Sequence, residues 1–544
     1  MSYLLDYISE IESGNIKVGK ELKSVLYGLK EDLDNPAYIY DERPGQTRID
    51  FIEKFCKHTK SPFNGKPFIL ELFQKALLEV SYGFKMADTG FRRFNEVLLL
   101  IARKNGKTTL VAGINLAEFF LSSGGVDIIC SSNTNEQASI LYDEINNMRE
   151  QSKALSKRSK KNIFCIYSPK NKNKIKKLSA QSRNKDGYNC EIGILDECHE
   201  MTDSKVYDAI KQSQSTKQQP LIFIITTEGT TVNGFLDSKL DYCRKMIKGE
   251  IKDIHILPWL YTQDSVDEVF EDPSSWQKSN PSLGKIKLQT YLEDIMNKAR
   301  YDLATRVTAL TKDFNIKQLE NGSWLTYQDL NNECLYSLDD LRDSYAIGGV
   351  DLSSTTDLTA AVILIVKGGV KYVIPHFFMP SEVLRKRIEE DNVPYDLWVK
   401  KGYITLTDGN QNDFTKVTEW FVSMVRDYSI RPLWVGYDPW NSQYWVKEME
   451  DRGFTLEKIR QGVYTLSEPM KQLEGDLKNK KVIYDNNPIL KWCFANTQAK
   501  VDVNGNIQPS KLNSKLKRID GCVALIIAYA VLNRYKNDYE NMNG

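Results

Sequence analysis

Residues 97–110 constrain the chain more than any other stretch. An apolar run, Val97-Leu98-Leu99-Leu100-Ile101-Ala102, ends in the polar turn Arg103-Lys104-Asn105, and Gly106-Lys107-Thr108-Thr109 opens the next segment. Residues 112–120 then read as a helix. Strand, turn and helix in that order form the context of a phosphate-binding loop. Backbone N–H groups of the turn and of the helix start would face phosphates. Lys107 would reach the β and γ phosphates, and the Thr108 hydroxyl would hold Mg²⁺. The full consensus has a glycine five residues before Gly106, where this chain has Ile101. The competing reading of so short a tripeptide is a basic surface turn.

Later segments favour the loop. Residues 191–195 are a short apolar strand ending in Asp196-Glu197, the second half of a phosphate-loop ATPase. Asp196 would hold Mg²⁺ and Glu197 would orient and activate the attacking water. A third strand, residues 221–225, ends in Thr226-Thr227, whose hydroxyls could sense the γ phosphate. Upstream, Gln74 has a two-faced amide able to read adenine. Strands alternating with helices predict a parallel sheet with the site at the strands' C-terminal ends.

At 544 residues the chain is too long for one core, so two or three domains are expected. The N-terminal 60 residues read as a polar helical arm for packing or interaction. The ATPase domain spans 61–335 with a loosened linker zone at its end, and a second α/β domain spans 336–544. No run is long and apolar enough to span a bilayer, and no secretory signal is visible. Nine scattered cysteines without a Cys-x-x-Cys pair predict reduced thiols, and four histidines far apart give no zinc spacing. Net charge is only +1, yet residues 153–185 contain no acid and many cations, among them Lys174, Lys176 and Lys177. Such a run suits a DNA backbone or is a solvated loop face.

The second half restarts with strands. Residues 345–353, 358–366 and 371–378 are joined by short turns, including Gly368-Gly369, and predict an antiparallel meander. Asp351 lies on the first strand, Asp438 ends a later buried strand, and Asp520 opens a C-terminal apolar helix. Carboxylates from three such elements can converge on two metal ions about 3.5–4 Å apart. Asp357 could assist Asp351 or be a simple turn residue.

Arg103-Lys104-Asn105-Gly106-Lys107-Thr108, Leu195-Asp196-Glu197-Cys198-His199 and Ile225-Thr226-Thr227-Glu228-Gly229 together resemble the large terminase subunit of tailed bacteriophages. That family uses the same variant loop without the leading glycine. Residues 67–74 resemble its adenine motif and Thr226-Thr227 its coupling motif; residues 276–284 resemble another family segment. Residues 350–353, 436–440 and 517–520 resemble the three motifs of its nuclease domain. The resemblance covers about residues 60–535. It implies an ATPase of the additional-strand (ASCE) P-loop class followed by a ribonuclease-H-like nuclease. The implied activities are ATP-driven packaging of double-stranded DNA into a procapsid and two-metal cleavage of concatemers. Implied ligands are ATP with Mg²⁺, and two Mg²⁺ or Mn²⁺ ions at the nuclease site. Implied partners are the portal protein, the small terminase subunit and further copies in a ring, in the host cytoplasm. Arg92, Arg93, Arg103 and Arg183 are candidates for an arginine that completes a neighbour's site. The rival readings are a helicase-like or repair ATPase fused to a resolvase-type nuclease, and a DNA-binding assembly protein with a degenerate nuclease centre.

Overall fold

Eight strands order the first half of the chain, and their sequence places the phosphate loop. The computed structural model describes residues 2–179, 189–320, 322–353, 358–391, 393–439, 442–512 and 517–543. Arg183, Asp357 and Trp440 lie outside the described residues. The chain divides into two compact units, Met1–Lys317 and Gln318–Gly544.

The main sheet of the first unit, apart from a small pair of Tyr38–Tyr40 with Phe84–Met86, has strands β1 (Glu96–Leu100), β2 (Asp127–Ser132), β3 (Lys160–Lys161), β4 (Ile166–Tyr167), β5 (Lys174–Ser179), β6 (Cys190–Asp196), β7 (Leu221–Thr226) and β8 (Ile256–Leu260). Their order across the sheet is β8-β1-β7-β6-β2-β5-β4-β3. From β8 to β5 every pairing is parallel, and the last two are antiparallel. Strands β1 and β7 are buried along their whole length. That is why they read as unbroken apolar runs without alternation. One strand, β7, separates loop-bearing β1 from the Asp-Glu strand β6, the arrangement of the additional-strand class.

The N-terminal helices α1 (Tyr3–Glu12), α2 (Lys20–Asp32) and α3 (Arg43–Phe55) are built into this unit. They pack with α4 (Leu72–Gly83), α5 (Lys107–Leu121) and α6 (Asn135–Gln151) in one apolar core. Tyr7 and Tyr261 share a hydrogen bond of 3.0 Å. A Cβ on Gly45 would lie 2.6 Å from the Glu79 Cα, so glycine lets α3 cross α4 closely. Residues 2–60 therefore pack as a layer of the first unit.

The second unit holds β9 (Tyr345–Asp351), β10 (Thr359–Lys367), β11 (Val370–Pro380), β12 (Ile404–Thr407), β13 (Arg431–Tyr437), β14 (Leu456–Lys458) and β15 (Val482–Ile483). The sheet runs β12-β11-β10-β9-β13-β14, with β15 paired to β11. Strands β9, β10 and β11 form the predicted meander, and β13 and β14 add in parallel beside β9. Gly368 and Gly369 both have positive φ, as the two-residue hairpin requires. This is the ribonuclease-H-like order. The unit begins earlier than residue 336: Trp324 N–H donates to Thr497 O, and Asn332 Nδ2 to Val482 O.

Candidate active sites

The phosphate loop is held open by backbone conformation. Lys104 and Gly106 have φ of 63° and 78°, and Gly106 caps α5 in the left-handed region. Residues 105 and 107 are buried, 103 and 104 exposed, and Thr108 and Thr109 half-buried at the helix start. Lys107 Nζ is buried without a hydrogen bond among the described residues; Glu197 Oε1 lies 3.7 Å away. Burial pushes the Lys107 ammonium below its usual range, against the pull of Glu197 and Asp196. Gln74 reaches the loop from α4. Its carbonyl oxygen accepts the Glu71 N–H at 2.9 Å, so one face of the amide is already used. Its Nε2 is buried without a partner among the described residues and lies 3.7 Å from where a Gly106 Cβ would stand.

Asp196 ends β6, and Glu197 follows with φ of 54°, a strained position for a non-glycine residue. Burial, helped by the Glu197 charge, pushes the Asp196 carboxyl up to about 6. A divalent cation would reverse that shift, so the position fits one. Burial opposes ionisation of Glu197, but the His199 hydrogen bond and the Lys107 charge outweigh it and hold Glu197 down to about 2. His199 Nδ1 is 3.1 Å from Glu197 Oε2 and 3.1 Å from Thr226 Oγ1. Burial pushes this imidazole below its usual range, against the pull of Glu197. Thr226 is thus tied to the Glu197 loop, while Thr227 Oγ1 is buried without a partner among the described residues. Three unmet donors, on Lys107, Gln74 and Thr227, lie around one loop. Buried donors left without partners are costly, and an anionic polyphosphate would satisfy them.

Two features escaped sequence reasoning. The first is a brace under the loop. Asn105 Nδ2 donates to Ala102 O, Arg103 O and Asn280 Oδ1, and Asn105 Oδ1 accepts the Ser282 N–H. Lys287 Nζ meets Asn280 Oδ1 at 2.8 Å and Asp313 Oδ1 at 2.6 Å, all buried. Residues 276–284 therefore support the loop from below. The second is Lys312, on α7 (Leu303–Phe314). Its carbonyl accepts the Arg103 N–H at 2.9 Å, and its Nζ donates to Glu228 O at 3.2 Å. Burial, then the Arg103 charge, push its ammonium down to about 8, while Glu197 and Glu200 pull the other way. Residues 276–284 stood out only by resemblance and without a role, and Lys312 not at all, because both act through contacts far along the chain.

The remaining candidates are placed as follows. Arg92 donates to Phe94 O, Gln219 O and Pro220 O, and Arg93 pairs with Asp32 at 2.7 Å, so both have structural partners. On β5, Lys176 pairs with Asp127 at 2.8 Å, Lys177 donates to Ser139 Oγ, and Lys174 is exposed.

In the second unit Asp351 ends β9 and Asp438 follows β13. These strands are parallel neighbours with Val350 opposite Tyr437, so the two aspartates leave the sheet side by side. Asp520 is the first residue of α8 (Asp520–Arg534) and is 5% exposed. Helix α8 lies directly on β9: a Cβ at Gly349 would fall 2.2 Å from Ala524 O. Arg518, two residues before Asp520, forms a buried ion pair with Asp391 at 2.9 Å. Gln461 Nε2 lies 3.4 Å from Asp351 Oδ1. Among the described residues no three His, Cys, Asp or Glu side chains are already gathered as a metal cluster. What the fold brings together is the three segments, and their all-oxygen donors suit hard divalent cations.

Fold and site define a two-unit enzyme, a P-loop ATPase followed by a ribonuclease-H-like domain. Two family models match the chain: the terminase large subunit ATPase domain over residues 72–245, and the terminase large subunit endonuclease domain over residues 250–534. The chain belongs to the terminase large subunit family. It is 28% identical over 505 residues to the large terminase subunit of Enterobacteria phage HK97, covering 90% of this chain and 95% of that one. It is 26% identical over 373 residues to protein YmfN of Escherichia coli K12, covering 65% and 80%. The crystal structure of the HK97 large terminase aligns over 90% of this chain and 99% of that one, with 25% identity and a TM-score of 0.49. The protein is thus an ATPase and a DNA endonuclease of a viral DNA-packaging motor. Among the described residues no helix is long and apolar enough to cross a membrane.

Proposed function

We propose that the first unit hydrolyses ATP with Lys107 and the loop N–H groups on the phosphates and Glu197 as the base for the attacking water. Ionised Glu197, held low by His199, has the charge a base needs. Thr108 and Asp196 hold Mg²⁺, which neutralises phosphate charge when bound. Thr226 and Thr227 face the γ phosphate, and His199 links Thr226 to Glu197. Gln74 offers its free N–H to the nucleotide, while Arg103, Lys104, Asn105 and Thr109 shape the loop. Lys312 adds a cation from the same chain. The observation that carries this reading is the set of buried, unmet donors around Gly106 facing Asp196 and Glu197.

In the second unit Asp351, Asp438 and Asp520 would hold two divalent ions, Mg²⁺ or Mn²⁺, which supply Lewis-acid activation at a phosphodiester. The strand ends fix two carboxylates, and the close seat of α8 on β9 fixes the third. The substrate is double-stranded DNA, translocated into a procapsid and cut from concatemers. The partners are the portal protein, the small subunit and further copies of this chain arranged in a ring, and the setting is the host cytoplasm. Lys174 and Lys177 face DNA phosphates; Lys176 is paired with Asp127 and contributes less.

The test is plasmid cleavage and ATP hydrolysis by the purified chain with and without Mg²⁺ or Mn²⁺. Cleavage should require the metal and vanish in Asp351→Asn, Asp438→Asn and Asp520→Asn, while ATP hydrolysis persists. Wild-type cutting by Asp438→Asn would remove Asp438 from the centre. No metal-dependent cutting by the wild type would favour an assembly protein with a degenerate site.

A further inference from the structure

The hairpin of β3 and β4 forms the far edge of the ATPase sheet. At its tip Ile163 and Phe164 are 92% and 81% exposed. Single exposed apolar residues are ordinary, but these two are adjacent and rigidly presented. Asn162 Oδ1 accepts the N–H groups of Phe164 and Cys165 at 2.8 Å each, and Asn162 N–H donates to Cys165 O at 3.0 Å. The next residues, Cys165 and Ile166, are buried and anchor the turn. Around the base stand exposed Lys157, Arg158, Lys160, Lys170 and Lys172, with no acid between residues 153 and 179. Lysines on an edge strand can serve to block edge-to-edge pairing. That accounts for Lys160 but leaves the apolar tip unexplained, since exposed Ile and Phe promote the association that lysines prevent.

We propose that this hairpin is a wedge for duplex DNA: the cations at its base bind phosphates, and Ile163 and Phe164 enter the minor groove and unstack a base step. Proteins that bend DNA from the minor groove use apolar side chains flanked by cations in this way. The proposal rests on the reading of the chain as a DNA-acting motor and names a contact point for it. Charge complementarity selects the occupant: Asp143 pairs with Lys161 at 3.7 Å, but exposed Lys157, Arg158, Lys160, Lys170 and Lys172 outnumber it and suit a polyanion.

The test uses the full-length chain, free of divalent metal, and a short duplex labelled at both ends for energy transfer. The wild type should bring the labels closer, as a kink requires. The double variant Ile163→Ser/Phe164→Ser should bind roughly tenfold more weakly and lose the kink, with an unchanged salt slope because the cations remain. Lys160→Gln/Lys170→Gln/Lys172→Gln should flatten the slope of log affinity against log salt by about 2–3, at roughly 0.9 per phosphate contact. In a separate assay with Mg²⁺ and no DNA, the serine variant's ATP hydrolysis should match the wild type, which shows that it is folded. Wild-type affinity and kinking in the serine variant would overturn the proposal while leaving the motor reading intact. So would loss of self-association with DNA binding unchanged, which would assign the tip to a second copy of this chain. A wild-type chain that neither binds duplex nor cuts it would fail both readings together.

Discussion

At Glu197 a strained backbone, a buried imidazole and a buried lysine converge on one carboxylate. Glu197→Gln keeps the shape and removes the base. It should retain nucleotide binding and lose about 10²–10⁴-fold in kcat, whereas Lys107→Ala should weaken binding itself. A fluorescent nucleotide titration beside a steady-state ATPase assay separates the two outcomes. Lys312 poses a different question. Arg103, Lys107 and Lys312 repel one another in the cleft, and Glu197 offsets only part of that charge, so a bound phosphate would relieve the rest. Lys312→Ala should lower kcat about tenfold or more with nucleotide affinity little changed, and Lys312→Arg should restore part of it. Equal losses in both variants would mean that Lys312 only anchors the loop through Glu228 O. Lys107, Asp196 and Glu197 were legible in the sequence because each lies in a contiguous motif after an apolar strand. Lys312 was not, since one lysine on an amphipathic helix looks like any solvated residue until the fold places it beside Arg103.

Strands and helices were legible wherever burial wrote a pattern: the unbroken apolar runs of β1 and β7, the meander in the second unit, and α8. Their neighbours were not. Nothing in a strand's composition says that β7 lies between β1 and β6, although that order is what brings Thr226 beside His199. The three nuclease aspartates show the same division. Each was readable in the sequence as an aspartate at an element's end, but the convergence proposed for them depends on how closely α8 approaches β9. Glycine at 349 permits that approach, because any Cβ there meets Ala524 O at 2.2 Å and Ala528 N at 2.7 Å. Gly349→Ala should therefore push the N-terminal end of α8 away from β9. Overpacking of this kind costs about 1–3 kcal/mol, or roughly 2–12 °C in Tm for a unit of this size. Plasmid cleavage should fall further than stability alone explains, because Asp520 moves with the helix. Unchanged cleavage in a variant with a lowered Tm would mean that Asp520 is not held by this contact.

Across the whole molecule, length predicted two or three domains and the motifs pointed to two, while the two compact units meet at residues 317 and 318, earlier than the expected border near 335. Residues from about 324 to 344 read as a linker zone with the border near 335, because Ser323-Trp324-Leu325 loosens the pattern and an acidic run follows at 339–343. In the folded chain they belong to the second unit. Leu330 is fully buried, Trp324 Nε1 donates to Glu474 Oε2 at 3.0 Å, Tyr484 Oη donates to Leu330 O, and Lys491 Nζ donates to Asn331 Oδ1 at 2.8 Å. Periodicity could not reveal this, because the segment is irregular and gains its partners only from residues some 150 positions later. The consequence can be measured. A fragment of residues 318–544 keeps every one of these bonds and should fold cooperatively and cut plasmid in Mn²⁺. A fragment of residues 336–544 leaves Glu474, Tyr484 and the Val482 carbonyl without their partners and exposes the cavity that Leu330 fills. Each lost hydrogen bond costs roughly 1 kcal/mol and the vacated leucine site about 2–5 kcal/mol, which together approach the whole stability of a small domain. The shorter fragment should melt far lower or not fold at all, as circular dichroism on heating would record. Equal melting of the two fragments would return residues 318–335 to the status of a linker and move the border to 336.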